Sequence, residues 1–235
     1  MLQAARNAVH DARRIAVLTG AGVSAESGIP TFRSNGGFWR NNRFEDLATP
    51  QGFARDPLFA WQWYEERRRG IAAAQPSAGH AALVELEKRL AEFTLITQNV
   101  DGLHDRAGSK NIVKLHGDIW TVRCLACGVE RTEHGELTEL PPRCACGGLL
   151  RPGVVWFGEQ LPEGAIERAI TAVQTSDAFI VAGTSAQVYP AASLIPLALE
   201  SGAQVIEINP ETTDFSGEVA FSLRGNSAVI LPQLL

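Results

Sequence analysis

Apolar residues along the chain fall into short runs bounded by glycine or polar residues, and longer segments of mixed character lie between several of them. Arg14-Ile15-Ala16-Val17-Leu18-Thr19 is the first run, closed by Gly20, as expected of a strand buried on both faces of a parallel sheet. Phe93–Thr97, Ala178–Ala182 and Gln204–Ile208 repeat the pattern, and Val113–Leu115 and Ala228–Leu231 add two shorter candidates. Helical segments are predicted at 2–13, Gly79–Leu90, Ala165–Gln174 and Ala191–Ser201. Strands alternating with helices of this length predict an α/β fold, a doubly wound parallel sheet with helices on both faces. Two stretches break the alternation. Residues 41–78 carry Trp61, Trp63 and Tyr64 on a predicted helix, and residues 119–150 hold every cysteine and little apolar material. Both are read as a second, smaller lobe inserted at two points. In such folds the default ligand site is the cleft at the carboxyl ends of the strands.

Composition narrows the classes. The 235 residues suit one large domain, or one with a small insert, and 45% hydrophobic content is enough for a sizeable core. A net charge of −5 argues against a nucleic-acid backbone as main ligand. The triplet Arg67-Arg68-Arg69 remains a basic patch that an acidic small substrate could meet. The first residues are polar and lack the apolar centre of a signal peptide, and no run approaches the roughly 20 apolar residues of a membrane span. A soluble cytoplasmic chain with no membrane partner is expected, a monomer being the simplest state. All four cysteines lie between Cys124 and Cys146, which in a reducing compartment favours a metal over disulfides.

The candidate chemistry begins at Gly20-Ala21-Gly22-Val23-Ser24-Ala25, which follows the first strand directly and fits G-x-G-x-x-A. Glycines permit a tight turn and close approach to a pyrophosphate, which free N–H groups of the following helix end can cradle; such turns also serve simply to pack a helix on a sheet. A hydride-transferring dehydrogenase would carry an acidic residue about 20 positions on, at the end of a second strand. Glu45 and Asp46 lie in no predicted strand, which argues against hydride transfer. Cys124-x-x-Cys127 and Cys144-x-Cys146 read as a zinc site, and four protein ligands leave no open position, so the metal is expected to be structural. Free or redox thiols are the competing reading, and a nucleic-acid-binding zinc ribbon is disfavoured by the acidic balance. His116 ends a short predicted strand, where a histidine can act as general base near neutral pH or be held by local hydrogen bonds. His10, His80, His104 and His134 are read as locally held. Gln98, Asn99 and Asp101 follow another strand end and could hold amide and ribose groups, although Asn-x-Asp-Gly is also ordinary turn chemistry. Tyr64-x-x-Arg67 places a phenol and a guanidinium on one helix face, a pair suited to a carboxylate. Taken alone, Arg67 reads more readily as part of a solvated face.

The longer strings carry a resemblance. Gly20-Ala21-Gly22-Val23-Ser24-Ala25-Glu26-Ser27-Gly28-Ile29-Pro30-Thr31-Phe32-Arg33, Gln98-Asn99-Val100-Asp101-Gly102-Leu103-His104, His116-Gly117, Val154-Val155-Trp156-Phe157-Gly158-Glu159, Gly183-Thr184-Ser185 and Asn209-Pro210-Glu211 together resemble the sirtuins, NAD-dependent protein lysine deacylases. The resemblance implies a Rossmann-like NAD-binding lobe over 1–40, 79–118 and 151–235. It also implies a small lobe with a helical module at 41–78 and a zinc module at 119–150. NAD is then consumed as co-substrate, an acyl-lysine protein or peptide is the partner, and nicotinamide, 2′-O-acyl-ADP-ribose and free lysine are the products. Gly20, Ala21, Gly22, Ser24, Ala25, Glu26, Thr31, Phe32, Arg33 and Trp39 would belong to the pyrophosphate turn and a mobile loop over the nicotinamide ribose. Gln98, Asn99 and Asp101 would orient the ribose and the nicotinamide amide. Gly183, Thr184, Ser185, Asn209, Pro210, Glu211 and Ala228 would line the adenosine end. His116 would be the base, and Val154, Val155, Trp156 and Phe157 would pair with the substrate backbone as an added strand. Sirtuins commonly carry Asp where Thr31 stands. Tyr64 and Arg67 match the Tyr-x-x-Arg pair of the desuccinylase-like branch, and small Ala25 would leave room for a longer acyl chain. The Cys-x-Cys spacing departs from the family's usual Cys-x-x-Cys. Mono-ADP-ribosyl transfer to protein would share the NAD pocket and His116 but has no evident use for Tyr64 and Arg67. A non-enzymatic zinc-ribbon module would explain only the cysteines.

Overall fold

Ile15 and Val17 pack on one side of the first strand and Ala16 and Leu18 on the other, all at most 2% exposed, so this strand must lie inside a sheet covered on both faces. The computed structural model describes residues 1–31, 38–39, 42–43 and 47–235. Its strands are β1 (Arg14–Thr19), β2 (Phe38–Trp39), β3 (Asn42–Arg43), β4 (Glu92–Thr97), β5 (Ile112–Lys114), β6 (Gly117–Cys124), β7 (Glu130–Thr132), β8 (Leu150–Val154), β9 (Ala178–Ala182), β10 (Gln204–Asn209) and β11 (Phe221–Arg224). Six of them form a parallel sheet in the order β11-β10-β9-β1-β4-β5. The chain builds outward from β1 through β4 to β5, then crosses back to β9 and continues to β11. Its order therefore reverses between β1 and β9, the switch point where ligands of such sheets bind.

The helices Leu2–Asp11 and Ala78–Arg89 cover one face, packing Val9, Leu83 and Leu86 on Val17, Leu95, Ile180 and Ile206. Ala165–Thr175 and Leu194–Glu200 cover the other, packing Ala169, Val173 and Ile195 on Leu18, Ile96, Phe179 and Val205. The doubly wound expectation is met, with one element exchanged. Residues 228–231 are not a strand: Ser227–Ile230 is a helical turn whose Val229 and Ile230 amides bond the Asn226 carbonyl. The sheet edge is β11 instead. An apolar run of four cannot be assigned by periodicity, and β11 is inconspicuous because Ser222 and Arg224 alternate with its apolar residues.

A second core lies beside the first. The helix Pro57–Ala73 starts with Pro57 at its first position and the Asp56 side chain accepting from the Phe59 N–H at 2.9 Å, a favoured start. It packs Trp61, Trp63 and Tyr64 against Phe53, Trp156 and the antiparallel sheet β7-β6-β8. Residues 119–150 supply more of this core than their composition promises, since Ile119, Trp120, Val122, Cys124, Cys144 and Leu150 are all buried in it. No helix among the described residues is long and apolar enough to cross a membrane.

The arginine triplet is not a patch. Arg68 is 2% exposed, ion-paired with Glu65 at 3.1 Å and bonded to the Glu133 and Gly135 carbonyls at 2.5 and 2.8 Å. Its guanidinium lies over the Trp120 ring. Arg68→Met would leave Glu65 charged and buried, which costs about 3–5 kcal/mol. Urea unfolding should show this loss, and Glu65→Gln combined with Arg68→Met should recover part of it. An unchanged midpoint in Arg68→Met would contradict the assignment.

Candidate active site

At the switch point two loops meet backbone to backbone. The Gly20 N–H donates to the Ala182 carbonyl at 3.1 Å and the Gly22 N–H to the Gly183 carbonyl at 2.8 Å. A Cβ on Gly22 would stand 2.7 Å from the Gly183 Cα, and one on Gly183, whose φ is +60°, would stand 2.5 Å from the Val23 nitrogen. Only glycine fits either place. The amides of Gly20 and Gly22 are thus engaged, and an anion at this turn would meet other N–H groups, an amendment to the motif reading. Glu26 Oε2 accepts the Ala228 N–H at 2.5 Å, which brings the Ser227–Ile230 turn against the loop after β1. Thr184 Oγ1 accepts from Gln98 Nε2 at 3.0 Å, and its carbonyl accepts from Asn209 Nδ2 at 3.2 Å. Ser185 is half-buried after Thr184, and Pro210 and exposed Glu211 follow β10, the Glu211 carbonyl held by Arg224 at 2.5 Å. Ala21 and Thr31 are half-buried and Ala25 is exposed. Trp39 stands in β2, and Phe32 and Arg33 lie outside the described residues.

A buried polar chain crosses from β1 to β4. Asn99 Nδ2 donates to the Gly20 carbonyl at 3.0 Å and to Ser24 Oγ at 3.2 Å; Ser24 donates to Asp101 Oδ2 at 2.8 Å. Asp101 Oδ1 accepts the Leu103 N–H at 2.8 Å, and the Asp101 carbonyl accepts Trp120 Nε1 at 2.8 Å, joining the aromatic core to the chain. Burial raises the Asp101 pKa, opposed by the Leu103 and Ser24 hydrogen bonds and by the charge of Arg67.

His116 follows β5. Its Nδ1 lies 3.1 Å from the Gln98 carbonyl, which can only accept. Nδ1 therefore carries the proton and Nε2 keeps a lone pair. Burial lowers the His116 pKa, with the Gln98 bond opposing. The neighbouring backbone is equally constrained: Gly117 has φ +76°, and a Cβ there would stand 2.2 Å from the Gly153 oxygen. Asp118 turns away to Lys114 at 2.6 Å and the Trp120 N–H at 2.8 Å. It lines a separate cavity of about 530 Å³ with Gly102, Lys114, Trp120 and His134.

Tyr64 is 1% exposed, and its oxygen accepts from Trp156 Nε1 at 2.8 Å. Burial pushes its pKa up to about 12 against the opposing influence of Arg67 and the Trp156 bond. Arg67 is half-buried, 5.0 Å above the Trp63 ring. Burial lowers its pKa, with Tyr64 and Asp101 pulling the other way. The stretch after β8 is hydrogen-bonded within the fold. The Val155, Trp156 and Phe157 amides donate to His116, Glu159 and Ala48, and Val154 is paired with Gly117. The Trp156 carbonyl also accepts within the fold, from the Glu159 N–H at 3.0 Å. The sequence reading missed Arg151, which grips Glu159 at 2.5 and 2.9 Å and lies 3.4 Å over the Trp156 ring. Its only signal was an arginine inside an otherwise apolar strand.

The four cysteine sulfurs all lie within 4.8 Å of one another, with Cys124 and Cys146 at 3.5 Å and Cys127 and Cys144 at 3.8 Å. A tetrahedral zinc with bonds of about 2.3 Å spaces its sulfurs at roughly 3.8 Å, so the group fits a structural zinc despite the Cys-x-Cys spacing.

A doubly wound sheet with glycine turns at its switch point, a buried polar chain, a neutral histidine and a cysteine cluster defines a nucleotide-using enzyme. Residues 20–190 match the model of the Sir2 family, and the chain belongs to that family. It is 58% identical over 201 residues, covering 85% of this chain and 84% of the relative, to an NAD-dependent protein deacylase of Aquifex aeolicus. A mutant Sir2 homologue in complex with 2′-O-acetyl ADP ribose superposes with a TM-score of 0.95 at 46% identity, covering 100% of this chain and 95% of that one. A Sir2 homologue in complex with NAD gives 0.94 at 46%, covering 99% and 91%.

The purified protein should carry one zinc per chain by metal analysis. Cys146→Ser should lose it and melt several degrees lower; full stability without metal would contradict the zinc assignment. A second prediction concerns His80 and His104, whose buried rings pack tilted at 4.7 Å, with His104 Nε2 on Thr19 Oγ1 and His80 Nδ1 accepting the Ser77 N–H. Burial pulls them down to about 4 and about 3. Both are neutral in the fold where an unfolded histidine is charged, so the unfolded chain binds more protons below pH ~6.5. Their stabilisation is complete above that pH and is lost as the pH falls through the folded values. Each ring adds roughly 1.4 kcal/mol per pH unit to the slope. Urea unfolding between pH 6.5 and 4.5 should show His80→Asn losing one such increment, and an unchanged slope would contradict it.

Proposed function

We propose that this Sir2-family enzyme removes acyl groups from protein lysines with NAD as second substrate, and that it accepts succinyl and malonyl groups as well as acetyl. The observation that carries the catalytic reading is the orientation of His116. A neutral imidazole with its Nδ1 proton committed to Gln98 presents Nε2 as a base at the carboxyl ends of the strands. With NAD and an acyl-lysine bound and nicotinamide displaced, His116 would serve as general base toward a ribose hydroxyl, so that the acyl group passes from the lysine nitrogen to that ribose oxygen. Asn99 and Asp101 hold the nicotinamide end, fixed by Ser24 and by the backbone of Gly20 and Leu103. Gln98 steadies Thr184 beside Gly183 and Ser185, while Asn209 and the Ala228 turn close the adenosine end. A positioned nucleophile and an excluded solvent matter more here than a strong acid, which suits a cleft between two cores. Residues 41–78 and 119–150 form the small lobe on this reading, and the cysteine-bound zinc holds β6 to β8 without touching substrate.

The acidic-acyl preference rests on Tyr64 and Arg67, a phenol that keeps its proton and a half-buried guanidinium on one helix face. The name of the Aquifex aeolicus relative supports the deacylase reading. The 2′-O-acetyl ADP ribose bound by the similar mutant Sir2 homologue supports the product.

Incubation with NAD and a succinyl-lysine peptide should yield free lysine peptide and 2′-O-succinyl-ADP-ribose by mass analysis. A peptide gaining ADP-ribose would favour ADP-ribosyl transfer instead. His116→Tyr should abolish turnover while the protein stays folded. Because burial holds the His116 pKa below the ordinary 6.5, wild-type kcat/KM should be flat above pH 7 and fall as the base is protonated below 6.5. A rate that climbs as the pH falls would contradict the base assignment. An acyl carboxylate left without its partner costs about 2–5 kcal/mol. Arg67→Met should therefore cut desuccinylation by well over tenfold and deacetylation far less, and equal losses would mean a structural role.

A further inference from the structure

Trp156 is 3% exposed, and its indole N–H has one partner, the Tyr64 oxygen, at 2.8 Å. A phenolic oxygen both accepts and donates, so an indole donating to its lone pair forces the O–H to point elsewhere. No acceptor meets that O–H among the described residues. Trp156 cannot readily turn away. The Arg151 guanidinium lies 3.4 Å over its ring, the Phe53 ring packs at 5.0 Å, and the Trp156 backbone N–H is tied to Glu159 Oε2 at 2.9 Å. Arg151 is pinned in turn by Glu159 and by the Val154 carbonyl at 2.8 Å. The cation on the ring face fixes the indole plane and with it the line along which the N–H points.

We propose that Trp156 sets acyl selectivity as a positioning residue: its indole N–H fills the Tyr64 oxygen from the protein side and turns the phenolic O–H outward, to the terminal carboxylate of a succinyl- or malonyl-lysine beside Arg67. This deepens the acidic-acyl reading above and rests on it. It also gives Trp156 a role other than pairing with the peptide backbone, for which its amide is already used. A Tyr64 oxygen free to rotate would present a lone pair to an anion in part of its orientations. With the lone pair occupied, the hydroxyl is committed as a donor. Tyr64 is high enough in pKa to keep that proton throughout the neutral range.

The test compares kcat/KM for succinyl-lysine and acetyl-lysine versions of one peptide. Trp156→Phe keeps a ring for Arg151 and Phe53 and removes the N–H. The succinyl-to-acetyl ratio should fall roughly fivefold or more, through the KM of the succinyl peptide and not its kcat. In a Tyr64→Phe background, which has no hydroxyl to orient, Trp156→Phe should not move the ratio further. Should Trp156→Phe fold poorly, benzothienylalanine at position 156 has nearly the same shape without the N–H, and carries the same expectation. A ratio unchanged by the loss of the N–H, while Tyr64→Phe and Arg67→Met both lower it, overturns the inference and leaves the acidic-acyl reading standing. An equal fall in both Tyr64 backgrounds also overturns it. A wild-type enzyme that does not cleave succinyl-lysine removes both.

Discussion

A polar group taken out of water must be paired, and leaving one buried and unpaired costs about 1–3 kcal/mol. At the carboxyl ends of β1, β4 and β5 this constraint decides which way each functional group points. Asn99 is turned by Gly20 and Ser24, Asp101 by Ser24 and Leu103, and His116 by the Gln98 carbonyl. Tyr64 is turned by Trp156. In the last two the protein occupies one valence, and the proposed function assigns the opposite one to a ligand: the Nε2 lone pair of His116 and the O–H of Tyr64. Reactive orientation is thus a consequence of how the folded chain satisfies itself.

The scaffold delivers these groups by close backbone contact. Gly20 and Gly22 press on Gly183 at the switch point, so the β1 and β9 ends sit nearer one another than side chains would allow, and Gly117 presses on Gly153, which brings the turn after β5 against β8. Hydrogen bonds join the second core to this centre, among them Ile119 N–H to the Val100 carbonyl and Arg106 to the Ile71 and Ala74 carbonyls. Trp120 donates to the Asp101 carbonyl, and the carbonyl of His116 accepts from Val155. Arg68 and Glu65 tie the long helix to the cysteine-bearing segment on the far side.

Much of this was legible in the sequence where the signal was local. Buried parallel strands read as apolar runs, so β1, β4, β9 and β10 were found nearly to the residue, and clustered cysteines reported a metal knot through their spacing. What escaped was decided by partners distant in sequence. Ala228–Leu231 has the apolar character of a strand but forms a turn because Asn226 and Glu26 take its amides. The Arg67-Arg68-Arg69 triplet looked like a basic patch, yet Glu65 and two carbonyls hold Arg68 inside. The glycine turn was recognised, but not that two of its amides bond the strand next door. Trp156 was seen as part of a backbone-pairing string, whereas its indole reaches a tyrosine 92 positions away. Hydrogen-bond direction across such separations leaves no mark on periodicity or composition.

The central claim is that His116 is a neutral base with its proton on Nδ1. Nitrogen-15 NMR of histidine-labelled protein, with His116 assigned by its absence in a His116 variant, reads tautomer and pKa together. The account predicts a protonated Nδ1 and a bare Nε2 at pH 7, with the ring titrating below 6.5. A proton on Nε2 at pH 7, or a pKa above 6.5, would contradict it.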